Sequence, residues 1–448
     1  MTQQSNGRNL FNLEQFFNNH GLYSYQVLLP TKFDFQYSTM SLVLPFDIIT
    51  LIIDIVGENE DTDLLKELSL VSHSFFQICS KHLFAAIELD DAANSSSKRG
   101  FVKLLKSRPE VVKYIRKLKY KFGGNQPFSV PVPTSPSCVD DDRLLSFIFP
   151  NFLQSIPHLN CLIIKAWSLN WKKLDSSLTS ALLHLMHLPT INRIDLAFIQ
   201  NFPLSNLIPC VNLLRLNIEH TYEDDDDSFD IVQSEVMPKL REFYSSESSV
   251  LTRKLLHSKM QDGRPAFNLM NLRRLSSYVD DFGAKSNIRY LLQNAKLLEE
   301  LHLRNDGRSI VGLHDILSPI ACTLKVLHLA SCFFFRHSII EVSTPARQLC
   351  EELEAMAEHN VLEALTCEII MNCIDDFIGT IIQNVGEVLV KPGWSALRQV
   401  SFEVSCVHVT RTDRAKLEAL RSLIDKYLSH LSKPESVQVT FECKVRII

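Results

Sequence analysis

Side chains that could carry out chemistry are few in this sequence and poorly grouped. His184 and His187 stand three apart beside Leu182, Leu183 and Leu185, which puts two imidazoles on one side of a helix at a spacing a zinc site can use. No cysteine or carboxylate accompanies them at ligand spacing, so ordinary helix histidines are expected, and no metal. Asp280-Asp281 and Asp375-Asp376 offer neighbouring carboxylates of the kind acid–base catalysis uses, but such pairs suit the capping of helices and turns better. The run Glu223-Asp224-Asp225-Asp226-Asp227 lacks the alternating ligands and turn glycine of a calcium loop and reads as a solvated loop. No P-loop, dinucleotide fingerprint, nucleophile elbow or H-E-x-x-H motif occurs, and 13 glycines in 448 residues leave little for a phosphate cradle. The expectation is no catalytic residue and no cofactor.

The 11 cysteines show no C-x-x-C spacing, and their number is odd. Several sit in apolar runs such as Leu365-Thr366-Cys367, where a thiol packs as a small hydrophobe. Reduced, buried cysteines are therefore expected, implying a cytoplasmic or nuclear location. Met1 to Leu10 is polar, unlike a secretory signal. The longest apolar cluster, Ile48 to Val56, is broken by Thr50 and Asp54 and falls short of a membrane span, so a soluble chain with no membrane partner is expected. Lys113, Arg116, Lys117, Lys119 and Lys121 interleave with Tyr114, Tyr120 and Phe122, a pattern some nucleic-acid surfaces share. The chain as a whole carries a net charge of -5, so this cluster reads as a solvated strand face and no nucleic-acid partner is expected.

An apolar fraction of 46% and a charged fraction of 22% are globular values, and the length allows several domains or one extended repeat array. Beyond residue 100 a unit apolar-x-x-apolar-x-apolar recurs. It appears at Ile115/Leu118/Tyr120, Leu159/Leu162/Ile164, Ile191/Ile194/Leu196, Val211/Leu214/Leu216 and Leu240/Phe243/Ser245. It continues at Leu272/Leu275, Leu298/Leu301/Leu303, Leu324/Leu327/Leu329, Leu362/Leu365/Cys367 and Leu397/Val400/Phe402, with a final strand expected at Val437 to Phe441. Leu272, Leu298 and Leu324 are 26 residues apart; elsewhere the spacing is irregular. The last two apolar positions alternate, so both face one side of a short strand. Helical spacing fills the intervals at Leu174 to His187, Ile288 to Ala295, Arg347 to Glu358, Cys373 to Val385 and Arg414 to Leu431. Gly123-Gly124 and the prolines up to Pro136 mark a surface loop.

Ahead of the repeats, residues 1–40 form an extension without clear period. From Leu44-Pro45 the pattern becomes that of three short helices. The first carries Ile48, Ile49, Leu51, Ile52, Ile53, Ile55 and Val56, with a polar stripe of Asp47, Thr50 and Asp54, and is ended by Gly57. The second carries Leu64, Leu65, Leu68, Leu70 and Val71; the third is capped by Ser72 and runs through Phe75 and Phe76 to Leu83 and Phe84. Three such helices cannot bury this much apolar surface among themselves, so part of it must meet the rest of the chain or another protein.

The succession Leu44-Pro45, Ile48-Ile49, Ile52, Leu64, Leu68, Val71-Ser72, Phe75-Phe76 and Leu83-Phe84 resembles the F-box of fungal F-box proteins, with Phe where a tryptophan is common. The downstream strand–turn–helix units resemble irregular leucine-rich repeats. Together the resemblances imply an α/β protein: a three-helix F-box-like module over 41–90, then a curved leucine-rich-repeat solenoid over 91–448 with parallel strands on its concave side and helices on its convex side. They imply docking of a Skp-type adaptor, and hence a cullin ligase scaffold, through Leu44, Pro45, Ile48, Ile49, Ile52, Leu64, Leu68, Val71 and Phe75. A protein substrate of unknown identity would be held by residues of the concave face: Asp195, Arg215, Tyr244, His302 and His328, alongside Ile163, Ser276, Thr366 and Ser401. The function so implied is substrate recognition for an SCF-type ubiquitin ligase. The alternative is a leucine-rich scaffold with no ligase role, in which the N-terminal helices merely cap the solenoid.

Overall fold

The computed structural model describes residues 45–59, 61–90, 97–123, 148–222, 236–246, 248–260, 262–279, 282–305, 312–333, 340–357, 360–371, 377–406, 414–431 and 440–447. Leu44, the 1–40 extension, nearly all of the proline-rich stretch, the acidic run at 223–227 and the pairs Asp280-Asp281 and Asp375-Asp376 lie outside them. The chain forms two compact units, one ending at Gln200 and one running from Asn201 to Ile448.

The first unit begins with helices α1 (Phe46–Glu58), α2 (Thr62–Ser69) and α3 (His73–Leu83). The Pro45 carbonyl accepts the Ile48 and Ile49 N–H groups (3.0 and 3.2 Å) and starts α1. Asp61 caps α2 by accepting from Leu64 N–H (3.1 Å), and Ser72 caps α3 by accepting from Phe75 N–H (3.3 Å). The chain then enters strand β1 (Ala86–Asp90), helix α4 (Ser97–Ser107), a 3-10 turn (Pro109–Tyr114) and strand β2 (Lys117–Lys121). Strand β3 (Cys161–Asn170), helix α5 (Ser176–Met186) and strand β4 (Arg193–Gln200) complete the unit. The four strands pair in parallel, each with the next in sequence. Their inward rows are apolar and buried: Ile87, Leu118, Leu162 and Ile194 in one, Leu89, Tyr120, Ile164 and Leu196 in the next.

The second unit carries β5 (Arg215–Glu219), β6 (Glu242–Ser246), α6 (Ser249–His257), β7 (Arg274–Val279), α7 (Phe282–Asn294) and β8 (Glu300–Asn305). After these come α8 (Leu313–Leu317), β9 (Val326–Phe333), α9 (Ile340–Met356), β10 (Ala364–Met371), α10 (Phe377–Leu389), β11 (Gln399–Cys406), α11 (Arg414–Leu431) and β12 (Thr440–Ile447). Again every strand pairs in parallel with its successor. Each unit is thus an α/β arrangement of parallel strands with connecting helices, compatible with a curved repeat solenoid.

The repeat is visible in the backbone itself. At the turns into β2–β4 and β6–β11, two consecutive N–H groups converge on one carbonyl of the preceding repeat. Arg116 and Lys117 donate to Ala85 (both 2.8 Å), and Asn160 and Cys161 to Arg116 (2.7 and 3.0 Å). In the second unit Arg273 and Arg274 donate to Arg241 (2.8 and 3.0 Å), Glu299 and Glu300 to Arg273 (2.9 and 3.0 Å), and Lys325 and Val326 to Glu299 (2.8 and 2.9 Å). Buried donors at a turn need such partners, and repetition lets each unit supply the acceptor for the next.

Two expectations change. Ala86–Asp90, counted with the helical module from sequence, is a strand paired with β2, because Phe84, Ile87 and Leu89 already form an apolar-x-x-apolar-x-apolar unit. Around 211–218 the buried set is Leu213, Leu216 and Ile218 in place of Val211, Leu214 and Leu216, and Val211 is exposed. Of the last strand, Thr440–Ile447 are described, and Val437 to Val439 of the expected strand lie outside the described residues. Among the described cysteines, Cys79, Cys210 and Cys367 are buried thiols outside any disulfide, Cys161 and Cys350 are half-buried, and Cys322 is exposed. Burial pushes the Cys210 and Cys367 thiols up to about 12. None of the described helices is long and apolar enough to cross a membrane.

Candidate functional site

Helix α1 is apolar on nearly its whole circumference, and the fold resolves it into two stripes. Ile49, Ile53 and Val56, at helical spacing, turn inward; Ile53 is fully buried with Leu65 of α2 and Cys79 and Leu83 of α3. The opposite stripe, Ile48, Leu51, Ile52 and Ile55, stays in solvent with Phe46. Leu64 on α2 and Leu70 and Val71 in the α2–α3 turn are exposed too. These eight side chains range from 38% exposed at Leu64 to 65% at Val71. Scattered exposed leucines need no explanation, but eight large apolar residues between Phe46 and Val71 mark an interaction surface.

Of the residues expected to dock an adaptor, Pro45, Ile48, Ile52, Leu64 and Val71 are exposed, whereas Ile49, Leu68 and Phe75 are half-buried and belong partly to the core. Phe46, Leu51, Ile55 and Leu70 are exposed and were not expected. The polar stripe Asp47, Thr50 and Asp54 is narrow, and Asp54 within it turns toward α3, so it does not show which apolar stripe turns inward; the signal available was the Ile48/Leu51/Ile52/Ile55 spacing.

A polar junction ties α1 to α3. Asp54 on α1 accepts from Lys81 Nζ (2.6 Å) and His82 Nε2 (2.8 Å) on α3. The Lys81 ammonium, and next the His82 ring, hold the Asp54 carboxyl below its ordinary value of 3.8. A lowered folded value means that this contribution is complete above the ordinary aspartate value and is lost as pH falls through the folded one. Acidification below about 4 should therefore loosen α1 from α3 in the native chain but not in Asp54→Asn. Amide hydrogen exchange in α1, corrected for the intrinsic rate and followed across pH, checks this; equal acid sensitivity in both would remove the junction's role.

Gly57 lies inside α1 and does not terminate it, correcting the sequence expectation. A Cβ there would overlap the His82 ring. In an exposed helix, Gly→Ala gains about 1 kcal/mol; here Gly57→Ala should instead cost about 1–3 kcal/mol by displacing His82. The denaturant midpoint gives the sign, and a gain would mean that α1 and α3 do not approach closely.

The second candidate surface is the open strand face. In the first unit Asp195 is buried, gripped by Arg193 through Nε (3.0 and 3.2 Å) and Nη2 (2.6 Å). Lys119 and Lys121 share the Glu88 carboxylate, and Tyr120 points into the core, where burial pushes its hydroxyl pKa up. Two of the cluster's five cations are thus partly offset by one carboxylate, and Lys113 lies in the 3-10 turn ahead of β2. In the second unit Arg215, Glu242, Arg274 and Glu300 occupy one row of the sheet. They alternate in charge at 3.1, 3.4 and 3.0 Å. Arg215 stacks on the Tyr244 ring (4.6 Å). His302 pairs with Glu300 (2.8 Å) and faces the His328 ring at 4.9 Å; His328 is buried, 3.4 Å from Glu368.

Tyr244, His302 and His328 therefore share the expected row, with Ser276 between Tyr244 and His302, while Arg215 sits one row earlier on the same face and Asn217 takes the place expected for it. Sequence reading missed the Arg/Glu ladder, which aligning the repeats on their first strand position would have found. His184 is exposed on α5 and His187 is exposed as its C-terminal cap, and among the described residues no group of three or more His, Cys, Asp or Glu is placed to hold a metal. The sequence matches no protein-family model and no curated protein.

Proposed function

We propose that this chain is a substrate-recognition adaptor of an SCF-type E3 ubiquitin ligase. In this reading α1–α3 are an F-box-like module docking a Skp-type adaptor, and through it a cullin. The parallel strands and helices that follow are an irregular leucine-rich-repeat solenoid whose concave strand face holds a protein target. The observation that carries the reading is the exposed stripe Ile48, Leu51, Ile52 and Ile55 together with Leu64, Leu70 and Val71. A module serving purely as a cap would spend its apolar residues on its inner face, as Ile53, Leu65, Cys79 and Leu83 do; the outer face needs a partner. The adaptor would supply no catalytic group and would act by holding its target near the charged ubiquitin-carrying enzyme.

The test is assembly. The purified chain, a Skp-type adaptor and a cullin are mixed and separated by size. Co-elution of all three, with cullin retained only when the adaptor is present, is the expected result. Separate elution of the chain in every mixture would sink the ligase reading.

A further inference from the structure

The β3–β4 pair carries an irregularity that the repeat does not require. Lys165 lies opposite Ala197 and Leu169 opposite Ile199, so residues 166–168 of β3 face Phe198 alone. Bulges of this kind re-aim side chains and are common beside functional sites. Ala166 turns inward and is buried, while Trp167 projects on the side of Lys165 and is 80% exposed. Phe198 adopts φ +59°, a backbone conformation that bulky residues rarely take. In it the ring stacks on Trp167, with centroids 6.3 Å apart and 29° between planes. Gln200 Nε2 donates to Ser168 Oγ (3.0 Å) and ties the far side of the bulge. An indole is thus held in solvent, backed by a second ring.

The neighbouring charge is positive. Lys165 is exposed and has no ion-pair partner among the described residues, and Lys121, beside it in register, shares Glu88 with Lys119.

We propose that the Trp167 bulge, with Lys165, docks an acidic segment of a partner protein that lays an apolar side chain on the indole. This names the target class within the adaptor reading and rests on that reading for the word target. A nucleic acid fits less well, because a phosphate track needs several cations along its path, whereas the net positive charge here comes from Lys165 and from Lys119 and Lys121 sharing one carboxylate.

A phage-displayed random 12-residue peptide library is panned against the full chain, with Trp167→Ala as counter-selection. Enriched clones should be net acidic with an aromatic or large aliphatic residue. A synthetic peptide from the leading clone should shift tryptophan emission to the blue; Trp171 and Trp394 are each 5% exposed, so that shift reports Trp167. Trp167→Ala should weaken the peptide tenfold or more and Lys165→Glu several-fold, both with an unchanged thermal midpoint. No enrichment, basic or uncharged clones, equal binding by Trp167→Ala, or tighter binding of a single-stranded oligonucleotide of equal charge would each overturn the proposal. Skp-type adaptor binding is measured on the same preparations. Loss of adaptor binding with peptide binding intact removes the ligase reading and leaves the acidic docking site; the reverse removes the docking site alone.

Discussion

Leu301→Asp should destabilise the second unit by several kcal/mol, on the order of 3–5, enough to threaten a fold whose total stability is about 5–15 kcal/mol. Leu301 is fully buried in β8, aligned with Leu275 of β7 and Leu327 of β9, so a carboxylate there would meet apolar side chains and no partner. The neighbouring substitution is the control. His302 points to the other side of the same strand, and from sequence His302→Ala is expected to change stability by less than about 0.5 kcal/mol. The structure raises that figure, because His302 is half-buried, bonded to Glu300 and stacked beside His328; a loss of about 1 kcal/mol is expected. Thermal and denaturant unfolding read both. A native-like midpoint for Leu301→Asp would contradict the inward row, and equal losses would contradict the alternation between faces.

That alternation is also why most of the second unit was legible. Two apolar positions separated by one polar residue, entered three residues earlier by another apolar residue, place Leu298, Leu301 and Leu303 in the core with no knowledge of what packs on them. The reading failed where the code is degenerate. Val211, Leu213, Leu214, Leu216 and Ile218 satisfy the unit in two registers, and burial selects the second. It failed again at Phe84, Ile87 and Leu89, where the opening phenylalanine looks like the end of α3. The exposed face of α1–α3 was half legible for a related reason: α1 shows its length and its start, but its narrow polar stripe does not show which apolar side faces in, because Asp54 within it turns to α3. Whether Asp195 and His328 lie open or closed was not legible. Their burial depends on Arg193 folding back along β4 and on Glu368 coming from the next strand, β10, contacts between side chains that no spacing encodes.

The exposed stripe of α1 makes the largest binding prediction. An apolar side chain fully buried at an interface contributes about 1.5–3 kcal/mol, and substitutions at the centre of an interface dominate its affinity. Replacing Ile48, Ile52 and Val71 together by serine should thus weaken an adaptor complex by at least a hundredfold. All three side chains are exposed, so the fold should be unaffected, as the thermal midpoint checks. Ile53→Ser would be a poor probe, since Ile53 is fully buried and its loss would unfold the module.

The most direct measurement is titration of a purified Skp-type adaptor into the intact chain and into the Ile48→Ser, Ile52→Ser, Val71→Ser variant. Saturable one-to-one binding by the intact chain, abolished in the equally stable variant, is the predicted result. Absence of binding by the intact chain, or undiminished binding by the variant, would contradict the assignment of this face to a ligase adaptor.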